Sequence, residues 1–187
     1  MEHILDKILQ NPVIAAVRRV EDLEKALESQ VTTIFMLTGD IFNINSIVER
    51  IKTARKNVFI HIDFLDGIGK DHTAIDYIAR VIKPNGIIST RSSHIKYARE
   101  MGLFTIQRFF LIDSLSFDTT IRTVNAEQPD MIEVMPAVMP KVIKKVCQTV
   151  GLPVIAGGLV DNKQDIIDVL NAGAVGVSTG KPELWSI

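Results

Sequence analysis

Short apolar runs alternate along this chain with longer segments in which apolar residues recur at helical spacing. The runs are too short for helices and are bounded by turn-forming residues, which is typical of buried parallel strands. Between them, a helical face is clear at Ile47, Val48, Ile51 and Ala54. The predicted strands are 13–17, 33–37, 58–64, 86–90, 103–110, 130–135, 153–156 and 174–178.

The segments around these strands predict helices. Five of these helices have both ends predicted, and they span 1–10, 21–29, 93–101, 116–125 and 140–150. Residues 181–187 leave room for one helical turn after the last strand. Three further helices are expected to begin near the capping residues Asn43 or Asn45, Asp71 and Asp161.

The strict alternation of strand and helix predicts a parallel sheet. Eight such units favour a TIM (β/α)8 barrel over an open sheet, because the last strand has the first to close on. The alternative is a flavodoxin-like open sheet, but no glycine-rich loop follows the first strand, where such a sheet binds nucleotide phosphate. We therefore expect one compact domain over residues 1–187, with short loops and a reduced eighth helix.

Composition excludes several classes of protein. The chain has 187 residues, 47% of them hydrophobic and 23% charged, and a net charge of −1, so it has no global attraction to nucleic acid or membrane. Its one cysteine forms no internal disulfide, and no Cys/His spacing predicts zinc. No apolar run approaches the length of a membrane span, and the acidic N-terminus is unlike a signal peptide. We expect a cytoplasmic protein.

Glycines follow the last two predicted strands. Gly157 and Gly158 close the run 153–156, and Gly180 follows the run 174–178. Glycine lets the backbone turn sharply and approach a ligand, and exposed N–H groups there bind anions. The phosphate site of a TIM barrel lies after its seventh and eighth strands. We therefore expect a phosphate at the amides of Gly158 and Gly180.

Polar residues stand at the strand ends, where a TIM barrel carries its functional groups. His61 and Asp63 share one face of the third strand, so we expect both to point into the barrel. Glu133 lies among apolar residues of the sixth strand, and a carboxylate buried there needs a partner. A small phosphorylated polyol or sugar supplies one, with hydroxyls for Asp63, Glu133 and Gln107.

Structural interpretations stay open for the same residues. His61 fits a hydrogen-bonded interior histidine, and Thr90 fits a helix cap. Arg108 fits an ion pair with Asp113 or Glu133.

An enzyme acting on a small phosphorylated sugar or polyol is the alternative function. Glu133 would then be a general base, paired with His61 or Asp63. No lysine lies in a predicted strand, which argues against a Schiff-base aldolase. The same three residues offer donors to a divalent metal, but their spacing does not require one. We expect no metal and no cofactor. A third hypothesis is a barrel that keeps its phosphate site only as an interaction module.

Several sequence blocks together resemble one family. They are His61-Ile-Asp63 with Gly67-Ile68, residues 82–93, residues 106–113, residues 132–136 with Pro140, residues 155–158, and Leu184-Trp185. The block 82–93 is long and specific. From about Pro12 to Trp185, the chain resembles the glycerol-3-phosphate-responsive antiterminator regulatory proteins of bacterial glycerol operons.

This resemblance implies a TIM barrel without catalytic turnover that senses glycerol 3-phosphate. It also implies binding to the leader of a messenger RNA, so that transcription passes a terminator. Gly180-Lys181 departs from the Ser-Asn pair frequent in the family, and Thr38-Gly39-Asp40 departs from its usual end of strand two. The resemblance implies ligand binding by Arg18, Asp63, Thr90, Arg91, Gln107, Glu133, Gly157, Gly158 and Thr179.

RNA contacts are expected only from local basic patches, since the sequence contains no RNA-recognition motif. Their alternative interpretation is a solvated helix face. Weak coverage of the barrel beside strand eight also predicts a possible homodimer. The candidate RNA-binding residues are Arg19, Arg50, Arg55, Lys141, Lys144 and Lys145.

Overall fold

Eight parallel strands form a closed barrel in this computed structural model, which describes residues 2–187. Each strand pairs with the next along the chain, and the last pairs with the first, with Val13 opposite Val177. The predicted TIM barrel is confirmed, and the open-sheet alternative is wrong. The strands are β1 Val13–Val17, β2 Thr33–Met36, β3 Asn57–His61, β4 Gly86–Ser89, β5 Phe104–Phe110, β6 Met131–Met135, β7 Val154–Gly157 and β8 Gly176–Thr179.

Helices surround the barrel, and one precedes it. Shorter 3-10 turns lie at Val20–Asp22, Ile62–Phe64 and Pro182–Leu184, and a π-helical turn lies at Ile78–Ile82. The α-helices are α1 Glu2–Gln10, α2 Leu23–Glu28, α3 Ile44–Thr53, α4 His72–Tyr77, α5 Ser92–Glu100, α6 Ser114–Glu127, α7 Pro140–Thr149 and α8 Lys163–Asn171.

The barrel interior is a packed apolar core. Phe59 contacts Phe35 and Phe104 edge to face, with ring centroids 5.6 and 5.7 Å apart. Ile8 of α1 is fully buried in the same cluster, so α1 closes the barrel at the N-terminal ends of its strands. Gly86 permits this packing, because a Cβ there would lie 2.1 Å from the carbonyl oxygen of Phe104. A ligand must therefore enter from the opposite end.

The third strand is shorter than predicted. It ends at His61, and Ile62–Phe64 forms a 3-10 turn. The Asp63 carboxylate accepts a hydrogen bond from the Thr90 backbone N–H at 2.9 Å, which draws the chain sideways toward β4. The predicted continuation of β3 is therefore wrong, and Phe64 is 50% exposed.

Two helix caps also differ from expectation. The helix after β7 begins at Asn162, whose side chain accepts from the N–H of Asp165, so the predicted cap Asp161 is wrong. Asn43 occupies the cap position of α3, but its side-chain oxygen accepts from the N–H of Asp40 instead. By contrast, Asp71 caps α4 as predicted.

The chain after β8 makes a single 3-10 turn, as its length predicts. Trp185 follows it and is buried, with Nε1 donating to the Thr179 carbonyl oxygen at 2.8 Å. Leu184 is buried beside it. These two side chains cover the flank of β8, which the sequence predicts to be thinly covered and available for a dimer contact.

Candidate functional site

A polar layer replaces the apolar core where the strands reach the barrel mouth. Alternate residues of each strand face the barrel interior, so each residue of this layer lies two positions after the preceding inward residue of its strand. His61 follows Phe59, Arg108 follows Ile106, Glu133 follows Met131, and Gly157 follows Ile155. Ser178 follows Gly176 in the same way. The interior thus changes from hydrocarbon to polar groups at one level.

Arg108, Glu133 and Ser178 form a buried chain of contacts across this layer. Nε of Arg108 lies 2.6 Å from Oε2 of Glu133, and the Ser178 hydroxyl donates to Oε1 of Glu133 at 2.5 Å. Gly157 leaves room for them, because a Cβ there would lie 2.1 Å from Oγ of Ser178. Each carboxylate oxygen of Glu133 therefore accepts a hydrogen bond from a protein side chain.

A cleft of about 220 Å³ opens above Ser178. The Arg18 side chain lies across Gly180, where a Cβ would lie 2.6 Å from Nε of Arg18. Gly158 has a φ of +79°, which a side chain would strain. The cleft is lined by Ala16, Arg18, Leu37, Met135, Gly158, Leu159, Val160, Asp161, Ser178, Thr179, Gly180 and Lys181.

Asp63 connects the loops after β3 and β4. Its Oδ2 accepts from the N–H and hydroxyl of Thr90 at 2.9 and 3.2 Å and from the Ser89 hydroxyl at 3.1 Å. Nε of Arg91 lies 3.7 Å from Oδ1, and Nδ1 of His94 lies 3.5 Å from it. Burial alone would raise the pKa of Asp63, but these hydrogen bonds and His61 hold it below its usual range.

His61 is fully buried, and neither ring nitrogen has a hydrogen-bond partner among the described residues. Its ring stacks on Phe64, with centroids 4.1 Å apart. Burial and the nearby Arg108 guanidinium lower the pKa of His61 to about 3. The imidazole is therefore neutral at physiological pH, and the predicted hydrogen-bonded interior histidine lacks its hydrogen bonds.

Two predicted ligand residues have side chains outside the polar layer, although Thr179 also lines the cleft. Gln107 lies on the helix side of β5, where its amide nitrogen donates to the Ser92 hydroxyl at 3.0 Å. Thr179 is buried, and its hydroxyl accepts from the Lys181 N–H at 3.2 Å. The structure therefore brings neither side chain into the polar layer.

The structure adds Arg108, Ser178 and Lys181 to the residues of the mouth. Alternation along β5 puts Ile106 and Arg108 on one face, and the closed barrel makes that face the interior. Nζ of Lys181 lies 2.7 Å from Oδ1 of Asp161 at the edge of the cleft.

His61, Asp63 and Glu133 do not come together as metal ligands. The carboxylate of Glu133 is taken by Arg108 and Ser178. Among the side chains that the structure describes, no three His, Cys, Asp or Glu residues are grouped so as to hold a metal ion.

The candidate RNA-binding residues before β3 are largely paired. Arg19 lies 2.9 Å from the Asp22 carboxylate, and Arg50 pairs with Glu24. Arg55 is exposed at the end of α3. Arg19 and Arg50 therefore lie in two separate ion pairs.

Helix α7 carries the remaining candidates. Lys141 and Lys144 are exposed and line a shallow groove beside α8 that includes Asp168. Nζ of Lys145 lies 4.3 Å from the ring centroid of Phe117 in α6, a cation–π contact. This face joins three basic side chains to an aromatic ring. Within the described chain, the helices are all too short or too polar to cross a bilayer.

Comparison with known proteins identifies the family. Residues 13–185 match the model of the family described as glycerol-3-phosphate responsive antiterminator. YgcP of Escherichia coli strain K12 is 41% identical over 184 residues, covering 98% of this chain and 96% of that protein.

Two solved structures support the match. The glycerol uptake operon antiterminator regulatory protein of Listeria monocytogenes has a TM-score of 0.89 at 34% identity, covering 94% of this chain and 95% of that one. A glycerol uptake operon antiterminator-related protein of Thermotoga maritima has a TM-score of 0.82 at 29% identity, covering 92% and 96%. The chain therefore belongs to the family of glycerol-3-phosphate responsive antiterminators.

Proposed function

We propose that this protein senses glycerol 3-phosphate in the barrel mouth and binds the leader of glycerol-operon mRNA, so that transcription passes a terminator and glycerol metabolism is regulated. The observation that carries the proposal is the cleft after β7 and β8, where Arg18 lies across Gly180 above a polar floor. In this proposal the protein works in the cytoplasm, where its RNA target is made.

The phosphate occupies the cleft. Backbone N–H groups at Gly158 and Gly180 donate to it, and the guanidinium of Arg18 supplies charge and a planar pair of donors. Lys181 lies at the cleft edge, where its Nζ is paired with the Asp161 carboxylate. The carbon skeleton then extends toward the polar layer that includes Glu133 and Ser178.

Sensing explains the buried network better than turnover. A general base in an active site is placed to accept a proton from the substrate. Each oxygen of Glu133 already accepts a hydrogen bond from Arg108 or Ser178, and Asp63 accepts from Ser89 and Thr90. Both carboxylates proposed for an enzyme are thus engaged in structural contacts.

We place the RNA contact on α7. Lys141, Lys144 and Lys145 contribute charge for the phosphodiester backbone, and Phe117 offers an aromatic ring beside Lys145. Arg19 and Arg50 are held in ion pairs, which makes them weaker candidates.

A homodimer is the last part of the proposal. Large apolar side chains are exposed after β5 and β7, including Ile112 at 84% in a loop, Leu115 at 68% in the first turn of α6 and Leu159 at 67% in a loop. Apolar patches of this kind mark protein–protein contacts. Sedimentation of the wild type and of Ile112→Asp tests this point, with a monomeric wild type as the contrary result.

Leader RNA titrated with the protein, with and without saturating glycerol 3-phosphate, tests the switch itself. A ligand shifts a two-state equilibrium only through different affinity for the two states. We expect the RNA affinity to change with ligand, and equal affinities would contradict the proposal. Gly180→Ala should weaken glycerol 3-phosphate binding by displacing Arg18, whereas Gly151→Ala, which meets no atom within 4 Å, serves as its control.

A further inference from the structure

Two basic side chains of the polar layer have buried atoms without a partner. They are Nδ1 and Nε2 of His61 on β3 and Nη2 of Arg108 on β5. Glu133 and Ser178 of the same layer are hydrogen-bonded, since Glu133 accepts from Arg108 and from the Ser178 hydroxyl. A buried polar atom without a hydrogen bond is costly, so these atoms point to a group that the bound state supplies.

Neighbouring protein groups do not meet this need. The nearest carboxylate oxygen, Oδ2 of Asp63, lies 3.7 Å from Nδ1 of His61, which is beyond hydrogen-bond distance. Phe64 covers a face of the imidazole ring by stacking on it. The edge of the ring, where both nitrogens lie, is buried without a hydrogen-bond partner.

The protonation state of His61 selects the chemistry of that ligand. Burial and Arg108 lower the pKa of His61 to about 3, so the neutral ring offers one N–H donor and one acceptor. A hydroxyl both donates and accepts, so it can bond to whichever ring nitrogen it reaches, as acceptor from the N–H or as donor to the other nitrogen. A phosphate at physiological pH chiefly accepts, and its place is with Arg18 in the cleft.

We propose that His61, together with Nη2 of Arg108, binds a hydroxyl of glycerol 3-phosphate and so determines specificity for the polyol end of the ligand. This inference rests on the proposed function and adds two residues to the site. It predicts that the protein distinguishes glycerol 3-phosphate from n-propyl phosphate, which has the same carbon skeleton and no hydroxyls.

Calorimetric titration of both compounds and of inorganic phosphate into wild type and His61→Phe tests the inference. Phenylalanine keeps an aromatic ring for stacking on Phe64 and removes both nitrogens. We expect the preference for glycerol 3-phosphate over n-propyl phosphate to fall about tenfold in His61→Phe, with n-propyl phosphate binding unchanged. His72→Phe is the matched control, because His72 is also stacked on an aromatic ring, that of Tyr97, but is exposed.

The outcomes separate the two proposals. If wild type prefers glycerol 3-phosphate and His61→Phe keeps that preference, the role of His61 is wrong and the sensor stands. If wild type binds none of the three compounds, the sensor is wrong and the role of His61 fails with it. His61→Gln, which retains a donor and an acceptor, is expected to recover part of the preference. Should His61→Phe not fold, His61→Leu decides the same comparison.

Discussion

Nε of Arg108 lies 2.6 Å from Oε2 of Glu133, and both side chains are buried inside the barrel, at 3% and 0% exposure. Two opposite charges placed together in a low-dielectric interior depend on each other. Removal of one partner leaves the other charge without compensation, and that costs more than the pair itself contributes.

Glu133→Gln should therefore destabilise the fold strongly. We expect the free energy of unfolding to fall by about 3–5 kcal/mol in urea denaturation, because the Arg108 charge stays buried. Glu24→Gln breaks the exposed pair with Arg50 and should cost less than about 1 kcal/mol. Equal effects of the two substitutions would show that the buried pair is not a structural element.

Gly157→Ala should destabilise the protein by crowding the same network. The added Cβ would lie 2.1 Å from Oγ of Ser178 and 3.0 Å from Oε1 of Glu133, so the hydrogen bond between them must shift. Overpacking of this kind costs about 1–3 kcal/mol. Gly151→Ala is the control, because its Cβ meets no atom within 4 Å. In Gly157→Ala/Ser178→Ala, the loss of the clash should recover part of the stability.

The barrel could be predicted from the sequence because strand and helix periodicities are local properties. Which face of each strand points into the barrel could not be predicted. Parallel strands are apolar on both sides, so nothing within β5 alone shows that Arg108 faces inward and Gln107 faces the helices. The turn that ends β3 at His61 could not be predicted either, because it depends on a hydrogen bond from the Thr90 N–H, in another loop, to the Asp63 carboxylate.

The glycines illustrate the same division. Gly157 and Gly158 could be placed at the mouth from their position after an apolar run. The need for a missing Cβ at Gly157 arises from Ser178 and Glu133 on other strands, which only the closed barrel brings together.

Neutralising the basic face of α7 should weaken RNA binding in a salt-dependent way. For single-stranded RNA, each phosphate contact contributes about 0.7 to the slope of log affinity against log salt. Lys141→Gln/Lys144→Gln/Lys145→Gln should therefore reduce that slope by about 2 in filter-binding titrations. The control replaces Arg80, Lys96 and Arg122, three exposed basic residues on other helical segments, with Gln. A slope that falls equally in both variants would contradict an RNA-binding surface on α7.

The buried neutral state of His61 should make stability depend on pH. Its pKa lies near 3 in the folded protein, against 6.5 for an ordinary histidine, through burial and the nearby Arg108. Between these values the unfolded chain binds the proton and the folded protein does not, so the unfolding free energy rises with pH. This contribution is complete above about pH 6.5 and is lost as the pH falls toward 3.

Urea denaturation from pH 7 to pH 5 measures this contribution before most carboxylates titrate. We expect wild type to lose about 2 kcal/mol more than His61→Phe over this interval. His72→Phe should follow wild type, because His72 is exposed. Parallel curves for wild type and His61→Phe would mean that His61 is protonated or solvated in the folded protein, which would also remove the neutral imidazole from the ligand site.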